Sequence, residues 1–360
     1  VASLDLPPWP NSAMDGYALR LADWQGEPLP VSQRVFAGQS PEPLQPGTCA
    51  RIFTGAPVPA GVDCVEMQEN AVVEDDQRVR FTEPMVGGQN IRPQGQETTV
   101  GELVLAAGTR LGPIELGLAA SLGRDRLDVI RRPRVAVLST GDELIEPGLP
   151  LGPGQIYNSN RRVLCSWLKR MGCEVIDAGI LPDDLEQTRS RLAGLSAVDL
   201  ILSTGGVSVG EADFLGIALR EEGELALWKL AIKPGKPVSF GRIRGAWWLG
   251  LPGNPLSAFV TWQLFGTAIV ARLTGETERV TRRHVVTGAA ISRKPGRCEL
   301  RPARCVGFDG QGREVVTFDA ETHSGHVRGL PEADGLIFLP ADCDFLPEGA
   351  LVEFQPFCPN

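Results

Sequence analysis

From residue 134 onward the chain alternates between continuous apolar runs and segments whose apolar positions recur with helical spacing. "RVAVLSTGDEL", beginning at Arg134, is an apolar run of the kind buried on both faces of a parallel sheet, and it opens onto a loop of small residues. "NRRVLCSWLKRMG" follows, with Val163, Leu164, Trp167, Leu168 and Met171 on one helical face, Asn160 as the cap candidate and Gly172 as the stop. "CEVIDAGIL" predicts a second strand, "DLEQTRSRLAGL" a second helix, and "VDLILSTGGVSVG" a third strand with its loop. Strand and helix alternating at this spacing predict a doubly wound parallel sheet. In such sheets ligands bind at the carboxyl ends of the strands, where these loops lie.

The flanking segments have a different texture. Residues 22–96 are rich in Gly and Pro, with short alternating runs such as "ARIFTG", "VEMQE" and "RVRF", and show no helical periodicity. They predict a small β-rich domain. "VGELVLAAGTRLGPIELGLAASLG" predicts a strand, a glycine turn and a helix, with Pro113 in its first turn and Gly123 at its end. After Thr274 short runs return in "RHVVTGAAI", "GLIFLP" and "ALVEFQPF", predicting a C-terminal β domain, a small barrel or sandwich. "LSAFVTWQLFGTAIVARL", from Leu256, reaches membrane-span length only by counting Ser, Thr, Gln and Gly, and predicts a buried or interface helix. The fold class is therefore multidomain α/β plus β.

Composition narrows the function. A formal net charge of −9 over 360 residues argues against broad nucleic-acid binding. Eight cysteines form no CxxC pair and none of the three histidines lies near one, which argues against a structural zinc site and for reduced thiols in a cytoplasmic protein. No signal-peptide pattern opens the sequence, and neither a membrane nor a nucleic acid is expected as partner.

Against that acidic total, the stretch from Leu225 to Gly245 holds Lys229, Lys233, Lys236, Arg242 and Arg244 and no acid. Lys233 and Lys236 flank Pro234-Gly235, a stiff turn that would fix two ammonium groups together for an oxyanion or polyphosphate; a solvated hairpin fits the same residues. Gly205, Gly206 and Gly210 match neither GxGxxG nor a P-loop, yet the backbone N–H groups of Thr204 to Gly206 could approach an anion closely. A tight strand-to-helix turn would need the same glycines. Asp142 and Glu143 follow the first strand, and Glu211 and Asp213 the third, so two strands deliver carboxylates to one sheet edge. Such oxygen donors suit Mg²⁺ against a substrate phosphate, or they are helix-start acids favoured by the macrodipole. "GLPGNPLSAF" places Asn254 as a cap, Pro255 at the first helical position and the Ser257 hydroxyl nearby, an anion site or a plain capped helix. Asp15, in "NSAMDGYALR", reads by itself as a turn aspartate.

Taken together, "PPWPNSAMDGYALR", "RIFTGAPVPAGVDCVEMQE", "GQNIRPQG", "LSTGDEL", "IYNSN", "STGGVSVGEADF", "KLAIKPGKPVSFG" and "GLPGNPLSAF" resemble the molybdopterin molybdenumtransferases, the molybdenum insertases to which the gephyrin E domain is related. The likeness runs in order along essentially the whole chain. It implies four parts: an elongated linking domain from residues 1–21 and 97–131, whose N-terminal portion in complete members precedes Val1; the β-rich domain 22–96; an α/β molybdopterin-binding catalytic domain 132–276; and a C-terminal β domain 277–360.

The resemblance implies that adenylyl-molybdopterin and molybdate give molybdenum cofactor and AMP, with Mg²⁺ assisting cleavage of the phosphoanhydride. It implies catalytic roles for Asp15, Glu143, Asp183, Asp213, Lys229 and Lys233, and a metal held by Asp142, Glu143 and Asp213. Substrate would lie on Thr140, Asp142, Ser203, Gly205, Gly206, Ser208, Gly253 and Asn254, and molybdate near Lys233, Lys236, Ser257, Arg301 and Ser324. A homodimer is implied, in which Asp15 of one copy reaches the cleft of the other, as is the upstream molybdopterin adenylyltransferase as a partner. Two departures stand out. "RPQGQE" has Gln96 and Glu97 where the family usually carries Glu and Asp, and the Ser324 segment "ETHSGHVRGL", with His323 and His326 as loop histidines, is a loose match. Two other readings share parts of the pattern: a gephyrin-like scaffold that binds without chemistry, and the adenylyltransferase, which resembles the α/β domain alone.

Overall fold

The computed structural model describes residues 1–74, 77–206, 214–277, 282–319, 323–325 and 327–357. They divide into two compact units, Val1–Asp128 and Val129–Asn360.

The first unit is built on a six-stranded sheet in the order Cys64–Met67, Gly16–Leu19, Cys49–Ile52, Leu29–Val35, Arg78–Phe81, Ala71–Val73. Alternation along Gly16–Leu19 explains its burial on both faces. Tyr17 and Leu19 pack with Leu29, Cys49, Val79 and Phe81, while Ala18 packs with Val35, Ala50, Ile52 and Val65. The boundary expected at residue 21 therefore gives way: Gly16–Leu19 lies inside the β-rich sheet, between two of its strands. Gly16 is required there, because a Cβ would lie 1.9 Å from the Glu66 carbonyl oxygen.

The strand expected within "VGELVLAAG" does not form. Val100 and Leu103 stay exposed and among the described residues no strand pairs with them, and an unpaired run of this length has nothing to hold it extended. Helix α1, Pro113–Ser121, begins at Pro113 as expected, and the Gly112 N–H donates to Glu115 Oε2 at 2.9 Å. Gly117 is exposed in α1 with open space around the position of a Cβ. Gly117→Ala is expected to raise the urea-unfolding free energy of this unit by about 0.5–1 kcal/mol, since it only restricts the unfolded chain.

In the second unit, Glu174–Leu181, Arg134–Thr140, Leu200–Thr204 and Ala246–Leu251 form a parallel ladder in that order. Helices cover both faces. Val135, Val137, Leu200 and Leu202 pack under α2 (Ser159–Arg170) and α5 (Pro255–Leu273), with Leu164, Leu168, Ala258 and Trp262. Ala136, Leu138 and Ile201 face α3 (Leu185–Gly194) and α4 (Phe214–Glu222), with Leu192, Leu215 and Leu219. The sheet is mixed rather than wholly parallel, because Pro237–Ile243 and Gly223–Lys229 extend it antiparallel. Arg244 and Gly245, both at positive φ, form the two-residue turn that joins Pro237–Ile243 to Ala246–Leu251.

Two details of α2 differ from expectation. Its cap is Asn158, whose side chain accepts the Arg161 N–H, whereas Asn160 donates to the Gly253 carbonyl at 2.7 Å. The choice is tertiary, since Asn158 is also tied by its N–H to Ile145 and by Oδ1 to the Ser139 hydroxyl. The inner face holds Arg161, Leu164, Cys165 and Leu168, and Val163 turns outward. The long apolar helix α5 is buried through Leu256, Ala258, Phe259, Val260, Trp262 and Val270, as a core helix would be.

Beyond α5, Cys298–Phe308, Glu314–Phe318, Arg283–Thr287, Leu351–Pro356 and Gly335–Leu339 pair in sequence, and the last returns to the first, closing a five-stranded barrel around Val285, Val316, Ile337 and Phe354. Ile232–Lys233 adds in parallel to Cys298–Glu299, which ties the α/β part to the barrel. The described cysteines are all free thiols.

Candidate active site

The chain leaves Arg134–Thr140 through α2 to a strand on one side, then returns through α3 to Leu200–Thr204 on the other. The carboxyl ends of Arg134–Thr140 and Leu200–Thr204 therefore flank a topological switch point, where a crevice opens in sheets of this kind. Gly205 has φ +81°, and a Cβ there would lie 2.7 Å from the Thr140 carbonyl oxygen and 2.9 Å from its hydroxyl. The Gly205 N–H donates to Leu251 at 3.1 Å. Gly253 comes close as well, its Cβ position 4.0 Å from the Gly205 Cα. Three small-residue loops, at Thr140, Gly205–Gly206 and Gly253–Asn254, thus meet. Below them Ser139 and Thr204 share a hydroxyl hydrogen bond of 2.7 Å, and Ser203 is fully buried in its strand.

Acids gather at the same edge. The Asp183 N–H donates to Asp142 Oδ1 at 3.3 Å, and burial, then the charges of Asp142 and Glu143, push the Asp183 carboxyl above the ordinary range. Glu143 folds back over Gly141, where a Cβ would be 2.4 Å from Glu143 Oε2. Among the described residues no three acid, His or Cys side chains form a ready metal cage. Asp213, assigned to the metal, lies outside the described residues together with Glu211 and Ser208. A feature absent from the sequence reading anchors the segment after Arg134–Thr140 to the strand Glu174–Leu181: Arg161, 4% exposed, bonds both Glu146 and Asp177.

The first turn of α5 joins these loops to the cations. Asn254 occupies its cap position without a side-chain cap bond, so the expected capping contact is made by backbone alone. Ser257 is buried, and its carbonyl lies 3.5 Å from the Cβ position of Gly235, in the turn after Lys233. The Ser324 carbonyl accepts the Leu256 N–H at 2.9 Å. Lys233 approaches Glu299 at 3.5 Å and Arg301 donates to Glu299 at 2.8 Å. Lys229 and Lys236 are exposed, and His323 is an exposed loop residue as expected; His326 is outside the described residues.

In the first unit Asp15 is more than a turn aspartate. It accepts the Thr54 N–H and hydroxyl, both at 2.8 Å. These bonds, with a smaller contribution from the Arg51 charge, hold its carboxyl below the ordinary range. The sequence signal lay in "RIFTGA", where a hydroxyl precedes a glycine turn, but nothing local links it to Asp15. Thr54→Val is expected to raise the Asp15 pKa toward its ordinary value in an NMR titration. Because a depressed carboxyl stabilises the fold above its unfolded pKa, the loss of stability on acidification through the lowered pKa should weaken in the same variant. Glu97 is exposed, its N–H donating to Leu6.

Glycine loops at the switch point of a doubly wound sheet put the chain in the class of α/β proteins whose crevice lies at the carboxyl ends of the strands. Residues 1–123 match the MoeA N-terminal region (domains I and II), 136–272 the "Probable molybdopterin binding domain", and 284–357 the MoeA C-terminal region (domain IV). The chain is 44% identical over 281 residues to a molybdopterin molybdenumtransferase of Haemophilus influenzae, covering 77% of this chain and 70% of the relative. It is 37% identical over 358 residues to molybdopterin molybdenumtransferase 2 of Mycobacterium tuberculosis, covering 95% and 87%. The crystal structure of a molybdopterin biosynthesis MoeA protein from Pyrococcus horikoshii superposes with a TM-score of 0.82 at 27% identity, over 99% of this chain and 89% of that one. The chain belongs to the MoeA family of molybdopterin molybdenumtransferases.

Proposed function

We propose that the protein inserts molybdenum into molybdopterin, converting adenylyl-molybdopterin and molybdate into molybdenum cofactor and AMP. The observation that carries this reading is the first turn of α5. It neighbours Gly205 through Gly253, the Lys233 turn through Ser257, and Ser324 through Leu256. These contacts support reading the glycine edge as the phosphate side of the site and the lysine turn as its oxyanion side.

The loops at Thr140, Gly205–Gly206 and Gly253–Asn254, with Ser208, would hold the phosphate and pterin, through side-chain hydroxyls and the backbone N–H groups that the sheet does not use, since the Gly205 N–H is bonded to Leu251. Lys233, Arg301, Ser257 and Ser324, with Lys229 and Lys236 nearby, would hold the tetrahedral dianion through charge-assisted bonds. Asp142, Glu143 and Asp183 supply oxygen donors of the kind a hard divalent cation takes, although these three by themselves form no ready cage. Asp142 and Glu143, with Asp213, would hold Mg²⁺, which when bound neutralises charge on the phosphoanhydride. Asp183, with its raised pKa, is the acid of this edge best suited to hold a proton. The same reading carries a cytoplasmic homodimer in which Asp15 of one copy serves the other, supplied by the upstream adenylyltransferase.

The test is AMP release from adenylyl-molybdopterin with Mg²⁺ as molybdate is raised. Saturable, molybdate-dependent release is the expected result. Substrate bound without release would replace this reading with the scaffold, and AMP release indifferent to molybdate would remove the oxyanion from the reaction.

A further inference from the structure

Glu299 sits at the centre of the cationic cluster, and no role assigned above uses it. It is 2% exposed, at the start of the barrel strand that pairs with Ile232–Lys233, so Lys233 and Glu299 are register neighbours. Its oxygens are divided. Oε1 accepts from Arg301 Nε at 2.8 Å, while Oε2 stands 3.5 Å from Lys233 Nζ and 3.4 Å from Arg293 Nε. Arg293 is also bonded to the carbonyls of Cys343, Pro340 and Arg297, so it anchors the carboxylate to the barrel. Burial pushes the Glu299 carboxyl up, but Arg301, Lys233 and Arg293 outweigh it and keep the group ionised. Of the three cations named here, Lys233 and Arg301 are those assigned to the oxyanion.

We propose that Glu299 is a built-in counter-anion, competing with the bound oxyanion for Lys233 and Arg301 and thereby setting the affinity of that site. The inference rests on the assignment of those two cations to molybdate. A site made of bare guanidinium and ammonium groups, with the Arg301 guanidinium buried, would hold a dianion tightly and give it up slowly. A fixed carboxylate among them supplies the negative partner that lets the cations remain paired when the oxyanion leaves. It also opposes occupancy by repulsion.

The experiment is isothermal titration of the full chain with sodium molybdate, comparing wild type, Glu299→Gln, Glu299→Asp and Lys233→Gln. Glu299→Gln keeps an acceptor for Arg301 but removes the charge, and is expected to bind molybdate about tenfold more tightly or better. Glu299→Asp keeps the charge and withdraws it from Lys233, with an expected tightening of about two- to fivefold; it serves if the Gln variant does not fold. Equal or weaker binding by the folded variants overturns the counter-anion while leaving the site intact. A purely structural role lowers their melting temperature without tightening, and overturns it too. If Lys233→Gln binds molybdate as wild type does, the site assignment itself fails and the inference falls with it.

Discussion

Gly205→Ala is expected to lower folding stability of the second unit by about 3 kcal/mol and to abolish molybdate-dependent AMP release. Two effects add. The residue has φ +81°, and a left-handed conformation costs a side-chain-bearing residue about 1–2 kcal/mol. The new Cβ would also sit 2.7 Å from a backbone oxygen, that of Thr140. Thr140 ends a strand whose residues Val135 to Leu138 are fully buried, so it cannot retreat without disturbing the parallel ladder. Relief must come from the loop, and moving it pulls apart the two chain ends that form the crevice. Gly148→Ala isolates the contact: Gly148 has φ +105° with nothing within 4 Å of a Cβ, so it bears the dihedral cost alone. Urea unfolding and AMP release measured on both variants decide the point. If the two lose stability equally and Gly205→Ala keeps its activity, the loops are not in the tight contact described here.

The parts of the fold legible in sequence are those in which a segment's own pattern fixes its surroundings. "RVAVL" and "LIL" must be buried on both faces, and helices of matching length follow and precede them, so a doubly wound sheet could be anticipated. The small-residue loops were legible for the same reason, since they close the carboxyl ends of such strands. What stayed hidden depends on partners distant in sequence. Asn158 and Asn160 offer the same side chain two positions apart, and the contact with Ser139 selects the first as cap. "AWWLGL" is a parallel strand only because it lies against Leu200–Thr204; a turn at Arg244–Gly245 pairs it antiparallel on its other side. Asp15 looked unsupported because its hydrogen-bond partner Thr54 lies 39 residues on. Glu299 and Arg161 gave no signal for a related reason. A buried charge is recognisable from its counter-charges, and these come from other elements.

Arg301→Met is expected to weaken molybdate binding about a hundredfold, and Lys233→Gln about tenfold, in titrations of the full chain. The difference follows from burial. The Arg301 side chain is 5% exposed and its guanidinium is held by Glu299 and the Asp319 carbonyl, so it meets a ligand already oriented and away from water. The Lys233 side chain is 45% exposed, and screening by solvent discounts its contribution. Stability should separate the two in the same direction. Losing Arg301 takes from Glu299 the partner at 2.8 Å and leaves it with Arg293 and Lys233 among others, a cost of about 2–3 kcal/mol after allowing for those remaining partners, whereas Lys233→Gln should stay within about 1 kcal/mol of wild type. The double variant should bind with less than the product of the two losses, because both cations act on one carboxylate and are coupled through it. Independent losses in that cycle would mean that Lys233 and Arg301 serve different ligands, and equal losses in the single variants would mean that burial is not what makes the arginine the stronger contact.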